Sequence, residues 1–174
     1  RADRPVLIVE GEQLIGAKQN RTVNTSILLA PNATVHIPVS CTEAGRWYRI
    51  SRGFHSSPHH SHPGMRRGKS RSVSESLRRS GSYRSDQRAV WAEVDRVACS
   101  MSVDSATADY EAVMEKAVHS RRSAMHQLDA IELPPDAVGV AVCARGRVEG
   151  LDIFDRPQTM HTLWPKLSRG YALC

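Results

Sequence analysis

The sequence predicts an α+β fold: antiparallel strands forming a sandwich-like half come first, then a helical pair, a β-hairpin and a C-terminal helix. Three observations carry that reading. Up to residue 40 the chain holds short apolar runs separated by Gly, Pro and Asn turn chemistry. Between Ser85 and Leu128, apolar residues recur at spacings of three and four, the period of a helix with one buried face. Two further apolar runs, 137–142 and 148–154, flank a short turn at 144–147, the pattern of a hairpin.

In chain order, residues 6–9 form the first strand, behind a Pro5 that lacks an amide donor and is tolerated at a strand start. Residues 13–17 continue it past the Glu10-Gly11-Glu12 bend. Residues 24–30 give a second strand, Pro31-Asn32-Ala33 a tight turn, and 34–40 a third strand with Val35, Ile37 and Val39 on one face. Pro38 places that strand at an edge or a bulge. Residues 51–82 are rich in Gly, Pro, Ser, His and Arg with almost no apolar periodicity. They predict a flexible insertion, dispensable for folding, with at most a short helix at 74–79.

Ser85 is placed to cap a helix carrying Val90, Trp91, Val94, Val97, Ala98 and Met101 inward. Ser105 or Thr107 starts the second, with Tyr110, Val113, Met114, Ala117, Ala124 and Leu128 inward. Asp155 caps the last helix, Pro157 suits its first turn, and Pro165 should kink or break it. Trp91 and Trp164 lie in apolar stripes and are expected to be buried. Trp47, behind Gly45-Arg46, is expected to keep an edge exposed.

At 174 residues the chain suits a single domain, here residues 1–174. The net charge of +6 is local: residues 65–88 hold eight Lys or Arg against Glu75 and Asp86, which accounts for the whole excess. Cys41, Cys99, Cys143 and Cys174 are widely spaced, as reduced thiols of a cytoplasmic protein are, and form no zinc motif. No apolar run approaches the ~20 residues of a membrane-spanning helix. The chain begins at Arg1 and enters a strand almost at once, so it reads as a fragment lacking its natural N-terminal part.

Residues 10–24 are dense in hydrogen-bonding side chains and bracketed by apolar strands, which marks a site held at a fixed place. Glu12, Lys18 and Glu43 are the candidate acid/base groups, because a carboxylate and an amine shift each other's proton affinity when partly buried. Cys41 is a remoter candidate nucleophile beside Arg46. Gln19, Asn20 and Asn24 can both donate to and accept from a ribose, base or phosphate. Arg46, Trp47 and the helix start Ser85, Asp86 and Gln87 complete the ligand set, since helix N–H groups attract anions. His55, His59, His60 and His62 lack Cys or carboxylate partners nearby, so no metal is assigned. The basic segment 66–88 has Tyr83 as its single aromatic, which makes nucleic-acid binding the minor reading.

Several motifs are specific enough to compare with a family: E-G-E-x-L-x-G-A-K-Q-N-R at 10–21, N-T-S at 24–26, I-P-V-S-C-x-E-x-G-R-W at 37–47, R-S-D-Q-x-x-V-W at 84–91, and L-D-I-F-D-R-P with L-W-P-K-L within 151–167. Over nearly its whole length the chain resembles the ARG and rhodanese-phosphatase-superfamily-associated protein domain, which starts upstream of Arg1. The resemblance implies a prokaryotic setting linked to ADP-ribosylglycohydrolases, a nucleotide-like small-molecule ligand, and ADP-ribose-processing proteins as partners. It implies no particular reaction or cofactor. The alternative is a non-catalytic module serving an enzymatic partner.

Overall fold

The computed structural model describes residues 2–174, apart from the side chain of Ala172. The α+β class and the order of strands, helices, hairpin and helix are as the sequence predicts. Strand β1 (Val6–Ile8) pairs antiparallel with β4 (Ile27–Leu29). Between them in sequence lie β2 (Glu12–Gly16) and β3 (Arg21–Val23), which form a four-stranded sheet with β5 (Val39–Cys41) and β6 (Phe54–His60), in the order β5-β3-β2-β6. Gly16 turns the chain from β2 toward β3 at φ +123°. A Cβ there would lie 2.5 Å from Ser51 Oγ and 2.6 Å from the Gly53 carbonyl, so only glycine fits.

Strand β3 falls where the sequence showed a polar connection. Its Thr22 is buried, and its hydroxyl lies 3.1 Å from that of Ser61. The strand expected at 34–40 is confined to β5, and Val35 is exposed. The turn at 31–33 forms, with the Ala33 amide donating to the Ala30 carbonyl and Asn32 left-handed.

The largest correction concerns residues 51–82. Instead of a flexible insertion they supply β6 and an 18-residue helix, α1 (Pro63–Ser80). His62 caps α1 by accepting the Met65 amide, Pro63 suits the first turn, and left-handed Gly81 closes the end with its amide on Leu77. Its buried face is Met65, Lys69 and Val73, four residues apart. With a lysine in the middle of that stripe, only Met65 and Val73 are apolar, too few to show a period in the sequence. β6 pairs with β2 and packs against the C-terminal helix, so residues 55–60 belong to the packed sheet.

Helix α2 (Gln87–Ser100) is capped by Asp86, which accepts the Arg88 and Ala89 amides, and not by Ser85. Its buried stripe is Val90, Val94 and Val97. Trp91 sits one residue off that stripe and is only half-buried, contrary to expectation. Asp109, and neither Ser105 nor Thr107, caps α3 (Tyr110–Ser120), and a break at Arg121 separates α4 (Arg122–Asp129). Strands β7 (Gly139–Ala144) and β8 (Arg147–Ile153) form the hairpin, with Arg145 and Gly146 both left-handed at its tip. Arg156 occupies the cap position of α5 (Pro157–Gly170), while Asp155 accepts the Thr159 hydroxyl instead of a backbone amide. The helix runs on through Pro165, and a short 3-10 turn follows at Tyr171–Leu173.

Two apolar clusters hold these elements. Met65, Val90, Val94, Tyr110 and Met114 join α1, α2 and α3. Met160, Trp164, Leu167 and Tyr171 join α5 to the β7–β8 hairpin, with Trp164 buried as expected.

Candidate functional site

Part of the predicted constellation forms a closed polar knot. Glu43 and Arg46 are both buried. Arg46 Nε donates to Glu43 Oε1 at 2.8 Å, and Nη2 lies 2.6 Å from Oε2. The Asn20 amide donates to the same carboxylate at 3.1 Å, and Gln19 Nε2 donates to the Glu43 carbonyl. Asn20 Oδ1 accepts from Gly16 and Arg46, while its Nδ2 donates to Asp109, a residue the sequence reading missed. Burial pushes the Glu43 carboxyl up, but the Arg46 fork, the Asn20 amide and Thr107 outweigh it and hold the group below the usual range. Each of these polar atoms has a partner within the protein, so Gln19, Asn20, Glu43 and Arg46 fasten β2–β3 to the start of α3.

The remaining predicted residues are dispersed. Asn24 accepts the Ser40 hydroxyl at 2.6 Å and donates to the Tyr83 carbonyl, and Ser85 hydrogen-bonds Ser40. Gln87 pairs with the backbone of Cys41 through two 2.8 Å bonds, extending the β5 edge as a strand would. Asp86 is engaged as a helix cap. Cys41 sits beside Arg21, and burial raises its thiol although the Arg21 charge opposes the shift. Lys18 is exposed on the β2–β3 turn, and the amine that meets Glu12 is Lys166 of α5. Trp47 is exposed.

That Glu12–Lys166 pair opens onto a second cluster, built from β2, β6, α3 and α5. Ser56 Oγ donates to Glu12 Oε1 at 2.6 Å and receives Lys166 Nζ at 2.5 Å. On the other side of the strand, Ser57 Oγ lies 2.7 and 2.9 Å from the two carboxylate oxygens of Glu111. The Ser57 hydroxyl also accepts the His59 amide, and His59 Nε2 lies 3.8 Å from Glu111 Oε1. Burial, reinforced by the charges of Asp109 and Glu115, raises the Glu111 carboxyl to about 7, against the Ser57 bond and Lys166. Burial, with Arg169 and Lys166, lowers His59 to about 4. The imidazole is therefore neutral at neutral pH, and its 3.8 Å approach to Glu111 is a contact and not an ion pair. His59 Nδ1 is buried without a hydrogen-bond partner.

His59 also lines a groove of about 580 Å³ against α3 and α4, with Glu115, His119, Arg122, Met125 and His126. A larger hollow of about 750 Å³ lies between the β1–β4 pair and the start of α5, where Leu7, Val9, Leu28, Ile153 and Phe154 are joined by Arg4, Asp155 and Arg156. Through His59 the groove adjoins Glu111, whose carboxyl is raised to about 7, and such shifted groups mark sites of acid/base chemistry. Glu111, Ser57 and Lys166 escaped the sequence reading, and His59 entered it only as a candidate metal ligand. The run of histidines at 55–62 was the local signal, since its alternation along a strand sends His59 to one side and His60 into the core.

Under the sheet lies a third, buried network. Lys69 reaches Glu10 at 2.6 Å and donates to the Val23 carbonyl. Arg66 joins Glu10 to Asp152 through a two-pronged contact, and Tyr171 donates to Asp152. Burial pushes the Lys69 amine down although Glu10 opposes it. Beside it, His62 lies 2.6 Å from Tyr110 Oη and 2.8 Å from Glu93, whose carboxyl is held at about 2 by Arg96 and His62 against its burial. These groups are also matched internally and link α1 to the sheet, the hairpin and α2. Among the described residues no set of three His, Cys, Asp or Glu side chains is arranged to hold a metal ion. Among the described residues, no helix is long and apolar enough to cross a membrane.

The family model of the ARG and Rhodanese-Phosphatase-superfamily-associated Protein domain matches residues 1–174. No curated protein and no solved structure matches the chain. The chain belongs to this family.

Proposed function

We propose that this family member binds and processes a phosphate-bearing, nucleotide-like small molecule of the ADP-ribose kind, in the groove beside β6. The observation that carries the reading is Glu111, a carboxyl raised to about 7 next to a groove-lining histidine. Such a group holds a proton at neutral pH and can still release it, as a general acid or base must. Arg122 in the groove, with Lys166 and Arg169 close to His59, supplies positive charge suited to phosphate. Glu12 holds Lys166 in place. The family name, which couples this domain to ARG and rhodanese-phosphatase proteins, supports an ADP-ribose derivative as the ligand.

A second reading is a binding module without turnover. Glu12, Ser56 and Lys166 satisfy one another and leave no unengaged nucleophile, which favours recognition over covalent chemistry.

Thermal unfolding with AMP, NAD and ADP-ribose tests the first reading. A ligand at ~100 times its Kd stabilises by ~2.7 kcal/mol, a rise of about 5–10 °C for a chain of this size. Lys166→Ala and Arg122→Ala should abolish the rise, and Glu111→Gln should keep binding while stopping product formation. A rise untouched by Lys166→Ala and Arg122→Ala would place the ligand elsewhere. Binding without product in the wild type would leave the second reading.

A further inference from the structure

The loop after Arg46 presents large apolar side chains to solvent: Trp47 and Tyr48 are each 66% exposed, Ile50 57% and Phe54 47%. It is nevertheless fixed. Arg46 Nη1 donates to the carbonyls of Ala17 (2.8 Å) and Tyr48 (3.2 Å), and the Ile50 amide donates to Ala17. Ser51 Oγ accepts the Ala17 amide at 2.8 Å and donates to Gly53 at 2.6 Å, while Phe54 enters β6 opposite Gly16. The loop is therefore stitched along its length to the β2–β3 turn, with its rings turned outward. Large apolar side chains held this way on a surface mark an interaction site.

The charge around those rings is of one sign. Arg49 and Arg52 are exposed on the loop and Lys18 on the adjoining turn, whereas Ala44 to Phe54 contains no acidic residue. Arg46, the remaining cation of the stretch, is neutralised by Glu43. In the 65–88 segment that holds the formal excess charge, Lys69 is buried and Arg66 half-buried in ion pairs, while the other cations are exposed.

From this juxtaposition we propose that residues 47–54, together with Lys18, form a docking surface for single-stranded nucleic acid. Trp47, Tyr48 and Phe54 offer faces on which unpaired bases stack, and Arg49, Arg52 and Lys18 meet the phosphates between them. A duplex hides its base faces and cannot use the rings. Ile50 is the one aliphatic side chain among the exposed apolar group, which gives a membrane little to anchor. The surface is independent of the groove beside β6 and does not rest on its reading.

The test uses the full chain and fluorescently labelled oligo-uridine and oligo-deoxythymidine of roughly 12 nucleotides, within the usual site size. Anisotropy titrations should show binding to either oligonucleotide. Its log–log salt slope should be near −2, about −0.7 for each of the phosphates met by Lys18, Arg49 and Arg52. Trp47→Ala should weaken binding about tenfold or more through lost stacking. Arg49→Ala with Arg52→Ala should leave a slope of about −0.7. Circular dichroism should be unchanged in these variants, because every altered side chain is exposed. Absence of binding at low salt, binding indifferent to Trp47→Ala, or Trp47-dependent binding to phosphatidylserine vesicles without oligonucleotide binding would each overturn the proposal.

Discussion

Glu43 and Glu111 flank the start of α3, one across the bridge to Asp109 and the other in the first helical turn, yet their proton affinities move in opposite directions. Burial raises both. Glu43 faces a guanidinium fork, a backbone amide and a threonine, and stays ionised below its ordinary range. Glu111 faces one serine hydroxyl, and the nearby charges of Asp109 and Glu115 add to its burial. The difference shows that burial alone does not make a carboxylate reactive. Partner charge decides whether the group is a fastener or a proton donor.

Removing each group should therefore have opposite consequences. Glu43→Ala strands Arg46 as a buried, unpaired charge and should cost about 3–5 kcal/mol in urea denaturation. A loss below about 1 kcal/mol would show that the knot relaxes into water and that the contrast is overstated.

Glu111→Gln should instead stabilise the protein by about 2 kcal/mol at about pH 8, after allowance for partial solvent screening. The sign follows from the raised proton affinity. The folded state holds this proton more tightly than the unfolded one, so the contribution is full below 4.5 and lost as pH rises to about 7. The variant's stability curve should lack that decline.

His59 and His60 act in the other direction. Burial lowers them to about 4 and about 3, so stability present above 6.5 is lost as pH falls through that range. Denaturation series between about pH 4 and 8 should give a wild-type maximum between about 6.5 and 7, and His60→Asn should flatten the acid limb. The smallest effect is expected from Lys18→Ala, within about 0.5 kcal/mol, because this exposed side chain belongs to neither region.

What the sequence determined by itself was the class and order of the elements and the faces that follow a clean period. Val90, Val94 and Val97 on α2, and Tyr110, Val113, Met114 and Ala117 on α3, are buried where their spacing put them. The dense amides Gln19, Asn20 and Asn24 were recognisable as a fixed polar element, although not as its fastening. The tertiary structure alone decided α1 and the candidate site. Lys69 fills a core position of α1 because Glu10 and the Val23 carbonyl, on other elements, receive its charge. Glu12 finds its amine 154 residues away at Lys166 instead of at Lys18, and Ser57 meets Glu111 across 54. Local periodicity reports which face of a helix or strand is apolar. Whether a charged side chain can be buried on that face depends on the counter-charge opposite it, and the fold brings that counter-charge from a distant part of the chain.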